Sequence, residues 1–303
     1  MKLFVKLSFI LLTLLAASAP ADAMRIFACE PEWAALAGEL GGDNVKAVSA
    51  TQGLQDPHYI QARPSLISRV RRADLVVCTG AQLEIGWLPV LLGKANNPDI
   101  LPGKDGFLEA SSYVRMLDVP AQVDRSQGDI HAQGNPHIQM DPRNIALVAT
   151  PLSQRLQKLD PEHAQQYAAR LQDFMQRWNA ALARWDAMAA PLKGKRVVAH
   201  HKSFAYLENW LGLTELGTLE PLPGIPPTSA HLAELLQMLG TDGTGADFII
   251  RAAYQSPRAS EWLSSRTGIP AVLLPTTVGG TEAADNLFDW FDDMLNRLLG
   301  AGK

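Results

Sequence analysis

Cysteine is scarce. The 303 residues hold two, Cys29 and Cys78, which is too few for a disulfide-built scaffold, and no C-x-x-C pair is present to carry thiol–disulfide chemistry. An H-E-x-x-H metalloprotease helix and a G-x-S-x-G nucleophile elbow are also missing, so two common hydrolase designs are excluded. Charge of one sign is not concentrated anywhere. The 27 Lys and Arg are interspersed with 31 Asp and Glu for a net charge of -4, and nothing resembles the basic stripe of a nucleic-acid binder. Beyond the amino terminus no run is apolar and long enough to span a bilayer. Low-complexity tracts are absent as well.

What is present begins with an export signal. Lys2 and Lys6 precede the apolar run Phe9 to Leu15, and Ala21-Asp22-Ala23 supplies an A-x-A cleavage site before Met24. Residues 1–23 are therefore expected to be a cleavable signal peptide and the mature chain a periplasmic protein of about 280 residues. A lipoprotein acylated at Cys29 is disfavoured, because Asp22, Arg25 and the bulky Phe27 separate that cysteine from the apolar run. In an oxidising compartment Cys29 and Cys78, each ending a strand-like run, form either a disulfide, if those strands are neighbours, or two buried thiols.

The mature chain alternates short β-like runs with amphipathic helical stretches. Strands are expected at 25–29, 45–49 and 74–79, with weaker ones at 100–101 and 113–117. Helices are expected at 31–40, 64–73, in a turn or more from Trp87 to Leu92, and at 142–158, the last opened by Asp141 as N-cap and Pro142 at the first helical position. From Asp160 to about Ala190 the residues Tyr167, Leu171, Phe174, Trp178, Leu182, Trp185 and Ala189 recur at steps of three and four. That periodicity predicts one helix roughly 45 Å long with a core-facing stripe. A second βα series follows, with strands at 195–199, 215–219, 247–250 and 271–274 and helices between them and at 284–299. The fold class expected is α/β: an N-terminal lobe over 24–158, a long rigid linking helix over 159–191, and a C-terminal lobe over 192–303. Each lobe is a mainly parallel sheet flanked by helices.

Three histidines lie on turns where hydrophobic runs end: His58 in Asp56-Pro57-His58, His137 in Asn135-Pro136-His137, and His201 in His200-His201-Lys202. A single loop histidine is usually a surface or hydrogen-bonded residue. Here, however, His58 follows the second strand and His201 follows the strand 195–199 directly, and open α/β sheets bind ligands outside the carboxyl ends of their strands. A cleft between the two lobes would bring the three together. Neutral imidazoles on separate loops suit a borderline cation such as zinc.

Asp56-Pro57-His58 with Arg63-Pro64-Ser65, then Ala73-Asp74-Leu75-Val76 and Gly80, resembles the metal-binding solute-binding proteins of bacterial zinc and manganese ABC transporters. So do Asn135-Pro136-His137 with Asp141-Pro142, His201 with Phe204 and Tyr206, and Ser256-Pro257-Arg258. The matches run in order over nearly the whole mature chain. The resemblance implies two α/β lobes on a long helix with metal at their interface. It also implies His58, His137 and His201 as ligands, and an ABC membrane permease as partner to a monomeric binding protein. A periplasmic zinc chaperone is a further candidate partner.

The carboxylates that family members carry near Ala252 and near Pro275 or Thr276 are absent. The fourth position is left among water, Asp285, Glu282, His131 and His200. His200 is expected to face its own lobe, because neighbours at a strand end point oppositely. A histidine-rich loop found before the second ligand in many zinc-type members is reduced here to the short segment 124–134, a candidate flap with one histidine. Three nitrogen donors favour zinc over manganese, which prefers oxygen. Two other readings remain: a zinc metallochaperone or adhesin-like binder of the same fold, and a three-histidine zinc hydrolase, which lacks an evident general base.

Overall fold

The computed structural model describes residues 22–122, 128, 130–241 and 245–302. The expected signal peptide, apart from its last two residues, lies outside them, as does most of 124–129.

Two four-stranded parallel sheets form the frame. In the first, β1 (Met24–Ala28), β2 (Val45–Ser49), β3 (Leu75–Cys78) and β4 (Phe107–Glu109) lie in the order β2-β1-β3-β4. In the second, β5 (Arg196–Ala199), β6 (Thr214–Thr218), β7 (Phe248–Ala252) and β8 (Ala271–Leu274) repeat that order as β6-β5-β7-β8. The inner strands β1, β3, β5 and β7 are rich in Val, Ile, Leu and Phe, and β3 is buried at all four positions, as a strand covered on both faces must be. In each lobe the order reverses beside the first strand, and the crevice at the carboxyl ends there is the position such sheets offer to ligands.

The first lobe carries α1 (Pro31–Gly41), α2 (Pro64–Arg71), α3 (Leu88–Ala95) and α4 (Pro142–Leu159). Asp141 caps α4 as expected, its side chain accepting from the Arg143 N–H at 2.9 Å. The linking helix α5 (Ala164–Ala189) has 26 residues, about 39 Å at 1.5 Å per residue. Its buried stripe contains Tyr167, Phe174, Trp178, Trp185 and Ala189, while Leu171 and Leu182 are half-buried against the same core. The second lobe carries α6 (Ala205–Leu211), α7 (Ser229–Leu239), α8 (Arg258–Thr267) and α9 (Leu287–Ala301).

One feature of the expected strand pattern fails. No strand forms at 100–101 or 113–117. Ile100 ends a short 3-10 turn, Tyr113 ends another, and the fourth strand is Phe107–Glu109. Met116 and Leu117 still pack on the core, so the apolar pattern reported burial rather than sheet pairing.

The lobes are not separate globules. A single hydrophobic cluster includes Ile26, Trp33, Leu75 and Val148 from the first lobe, the α5 stripe, and Val197, Ile250, Trp290 and Phe291 from the second. Within it Trp178 stacks edge-on to Trp185 and Phe288, with ring centroids 5.1 and 4.9 Å away. The indole of Trp178 donates to the Pro142 carbonyl at 2.9 Å, and that of Trp185 to Asp292 Oδ1 at 2.6 Å. The long helix is thereby fixed to α4 on one side and α9 on the other. Cys29 and Cys78, one at the last residue of β3 and the other just past the end of adjacent β1, are joined in a disulfide.

Candidate metal centre

The first two histidine turns share one local design. In Asp56-Pro57-His58 the Asp56 carboxylate accepts the His58 backbone N–H at 3.0 Å; in Asn135-Pro136-His137 the Asn135 side-chain oxygen accepts the His137 N–H at 3.0 Å. These are Asx turns, in which a short side chain two residues back satisfies the amide, and the intervening proline fixes φ. Each turn is also held from outside. Trp87, buried at the start of α3, donates its indole N–H to the Pro57 carbonyl at 2.8 Å. Tyr206 of α6 donates to the Asn135 carbonyl at 2.9 Å, and the Asn135 amide donates to the Lys202 carbonyl at 2.8 Å. The second turn is thus anchored by the opposite lobe. His201 needs no such turn, because it leaves the end of β5 directly.

The structure brings His58, His137 and His201 together. Their candidate ligand atoms all lie within 4.8 Å of one another, and the ring centroids are 5.3 Å apart for His58 and His137 and 5.7 Å for each of the other pairs. Two of the three rings are oriented by carboxylates. His58 Nδ1 is 2.8 Å from Asp56 Oδ1, and His201 Nδ1 is 2.7 Å from Glu220 Oε2. A carboxylate places the proton on Nδ1 and leaves the Nε2 lone pair pointing away from it. The Nε2 atoms of His58 and His137 are buried and have no hydrogen-bond partner. An imidazole nitrogen left in that condition costs free energy unless something else meets it, and a cation is the partner that three convergent lone pairs fit.

The electrostatics agree. Burial, and then the neighbouring imidazoles, hold His137 well below its ordinary value, so it stays neutral and able to donate a lone pair. Burial would raise Asp56, but its hydrogen bonds from the His58 ring and backbone N–H outweigh this and hold it below the usual carboxylate range.

The remaining candidates separate clearly. His131 stacks on His58, centroids 5.4 Å apart, and lines the same opening. His200 is buried, binds the Ile250 carbonyl through its backbone N–H, and has an unpartnered Nδ1; it does not belong to the group of mutually close ligand atoms. Glu282 and Asp285 are exposed on the segment before α9 and stand outside that group too. Thr276, where relatives are expected to place a carboxylate, is buried, and its carbonyl accepts from Gln139. Three cavities open onto the histidines, the first, of about 500 Å³, lined by His58, Gln82, Ile85 and His131. A second, of about 300 Å³, is lined by Leu54, Asp56, Tyr59, His201 and Glu220; a third, of about 480 Å³, by His131, Pro136, His137, Leu222 and Pro223.

Glu220 was not singled out by sequence reasoning. Its signal is slight, an acid two residues past strand β6 and just before the Pro/Gly-rich stretch 221–227. Also unforeseen is a group of buried acids at the end of the first sheet, against Thr79 and Gly80. Glu30, Glu32 and Glu84 are all buried. The Glu30 and Glu84 carboxyls share Thr79 as a donor, its N–H lying 3.2 Å from Glu30 Oε2 and 2.8 Å from Glu84 Oε1. Burial, with the charges of Glu84 and Glu32, pushes Glu30 well above the carboxylate range, and burial pushes Glu32 and Glu84 up to about 7.

The family model for the periplasmic component A of zinc-uptake complexes, ZnuA, matches residues 26–301. The chain is similar to the high-affinity zinc uptake system protein ZnuA of Yersinia pestis, 27% identical over 198 residues that make up 60% of this chain and 61% of the relative. It is similar to the ZnuA of Brucella abortus strain 2308, 24% identical over 50% of this chain and 41% of that one. The matched stretch therefore spans about three fifths of the first relative's length and two fifths of the second's. Streptococcus pneumoniae has a manganese ABC transporter substrate-binding lipoprotein, PsaA, that is 23% identical over 88% of this chain and 85% of its own. Among solved structures, a crystal structure of ZnuA superposes with a TM-score of 0.74 at 22% identity, covering 91% of this chain and 99% of that one. A manganese-bound periplasmic metal-binding protein from Candidatus Liberibacter asiaticus does so with a TM-score of 0.74 at 14% identity, covering 92% and 100%. At these identities the structural likeness is one of fold.

Proposed function

The chain belongs to the ZnuA family of periplasmic zinc-uptake components, and on that premise we propose that it captures zinc in the periplasm and delivers it to the membrane permease of an ABC importer. The observation that carries this reading is the convergence of His58, His137 and His201 within 4.8 Å at the seam of two lobes. His58 and His137 sit on braced Asx-Pro turns and His201 just past the end of β5, and His58 and His201 have Nδ1 already committed to a carboxylate. Three neutral nitrogen donors favour zinc over the oxygen-preferring manganese. The fourth coordination position faces the cavities, where water completes the shell and where the ion enters and leaves. The protein is a monomer exported by a cleaved signal peptide.

Binding needs neutral imidazoles and weakens as pH falls through about 6. Calorimetric titration of zinc into the wild type and into His58→Ala, His137→Ala and His201→Ala variants tests the assignment. Each variant is expected to lose affinity by orders of magnitude, and wild-type affinity in any of them would remove that residue from the site.

A hydrolytic zinc site would want a free general base beside the metal. The two carboxylates nearest the histidines, Asp56 and Glu220, are both occupied by ligand Nδ1 atoms, which favours binding without turnover. A metallochaperone would use the same site. Zinc-dependent uptake into cells or vesicles bearing the cognate permease distinguishes the two.

A further inference from the structure

Asp56 and Glu220 play the same part toward their histidines but differ in where they come from. Asp56 belongs to its own histidine's turn, so its bond to His58 reports on nothing beyond three residues. Glu220 lies 19 residues from His201, past a different strand, and its Oε2 has two donors. It takes the His201 ring at 2.7 Å and the backbone N–H of Gly224 at 2.9 Å. The rest of Glu220 is fixed as well, since its backbone N–H binds the His200 carbonyl and its carbonyl accepts the Thr218 hydroxyl at 2.7 Å. A single carboxylate oxygen, on a firmly held backbone, is thus shared between a candidate metal ligand and the loop 221–227.

That loop borders the ion opening. Leu222 and Pro223 line one cavity on the histidines and Gly224 another. Leu222 and Ile225 are exposed, at 41% and 44%. The opposite rim touches it. At Gly128 of the short segment before the second ligand turn, an added Cβ would stand 2.4 Å from the Pro223 carbonyl oxygen and 3.2 Å from Leu222 Cβ. Gly128 and the loop therefore meet at the opening.

We propose that Glu220 is a positioning residue that couples His201 to the loop 221–227 through this shared oxygen, so that the loop's order follows occupancy of the ion site. The inference rests on the zinc-binding reading above. When His201 Nε2 holds an ion, its ring cannot rotate, its Nδ1–H stays on Glu220, and the carboxylate remains where the Gly224 N–H meets it. When the ion leaves, the ring regains its torsional freedom, Glu220 loses a fixed donor, and the Gly224 bond holds the loop alone. The exposed apolar pair Leu222 and Ile225 is then presented in one arrangement by the loaded protein and in many by the empty one. A permease can tell cargo-bearing from empty protein by such a difference.

Hydrogen exchange of the loop amides, read by mass spectrometry with and without zinc, tests this beside calorimetry on the same samples. In the wild type, zinc is expected to bind and to slow exchange over 221–227. Glu220→Ala is expected to bind zinc about 10–100-fold more weakly, the usual cost of losing an outer partner of a ligand histidine. At saturating zinc it is expected to show no protection of the loop. Glu220→Gln keeps an acceptor at the same reach and should restore most of that protection, which a merely structural role for the carboxylate would not require. Loop exchange unaffected by zinc in a wild type that does bind the ion overturns the coupling and leaves the zinc-binding reading intact. Equal protection in wild type and Glu220→Ala overturns it as well. A wild type that does not bind zinc at all overturns both.

Discussion

The hydroxyl of Thr277, just past the last strand of the second lobe, donates to the Glu32 carboxyl in the first helix of the first lobe. Both side chains are buried, and Glu32 has a second oxygen with no partner. Glu32 is one of three buried glutamates clustered where the first sheet ends, and it is the one that reaches across the seam. Burial makes the acids of this cluster keep their protons above the usual carboxylate range, which gives the protein a pH dependence of its own, apart from metal.

The sign follows from linkage. Glu32 and Glu84 are raised to about 7 by burial, Glu208 to about 8 by burial and by nearby Glu215, and Glu30 well above its ordinary value. In the unfolded chain these groups ionise near 4.5. The folded form therefore holds protons that the unfolded form has lost, and their stabilisation is complete below that value and disappears as pH rises through 7 to 8. His137 acts oppositely, being neutral when folded, and its contribution is lost only as pH falls below 6.5. Above 6.5 the carboxyls act alone. The urea midpoint of the chelator-treated protein is expected to fall between pH 6.5 and 8, and Glu32→Gln to reduce that fall. A flat or rising midpoint over this interval would show that the glutamates are ionised in the native state.

Asp56 offers a graded counterpart to the histidine substitutions. Asp56→Ala removes both the Nδ1 partner of His58 and the acceptor of its backbone N–H. Zinc affinity should fall by about 10–100-fold, less than for His58→Ala. Asp56→Asn, which keeps the backbone acceptor, should fall less again. Calorimetry that ranked the three in any other order would place the function of Asp56 elsewhere.

The disulfide can be weighed separately from the metal. It closes a separation of 49 residues, for which the chain-entropy relation gives about 4 kcal/mol and typical proteins show about 2–4 kcal/mol. Both sulfurs are fully buried, so a reductant acts only on opened molecules. Equilibrium urea unfolding with and without reductant should differ by an amount in that range, with the reduced protein the weaker. Coincident curves would mean that the cross-link restricts the unfolded chain very little.

Much of this was legible in the sequence, and the exceptions share a cause. The long helix declared itself because Tyr167, Phe174, Trp178 and Trp185 repeat a helical period, and a period is a local property. The histidines were legible because Asp-Pro-His and Asn-Pro-His are turn chemistry, again local. Phe107–Glu109 was missed because three residues carry too little alternation to read, while Tyr113 to Leu117 imitate a strand although only burial acts on them. Glu220 and the buried glutamates were invisible for a different reason. Glu32 looks like an ordinary acid in a first helical turn, and Glu220 like a loop acid, until tertiary contacts 245 and 19 residues away give each a partner.

The same long-range packing decides how the lobes move. Interfaces between domains of one chain are usually modest and polar, and relative motion is then the default. Here the seam is apolar, and α5 runs along it. Trp178 and Trp185 are fully buried between α4 and α9, and Phe291 packs 5.1 Å from Trp185. Opening the lobes about this helix would expose those rings to water. Small-angle scattering of the zinc-free and zinc-loaded protein is therefore expected to give superimposable curves, with metal release confined to loops around the opening. Trp185→Ala should cost about 3–5 kcal/mol of stability, as large buried rings do when truncated. Trp185→Phe, which keeps the packing and removes the donor to Asp292, should cost about 1–3 kcal/mol. A wide rotation between zinc-free and loaded wild type would mean that the shared core yields as a hinge, and the aromatic seam would then be a bearing rather than a clamp.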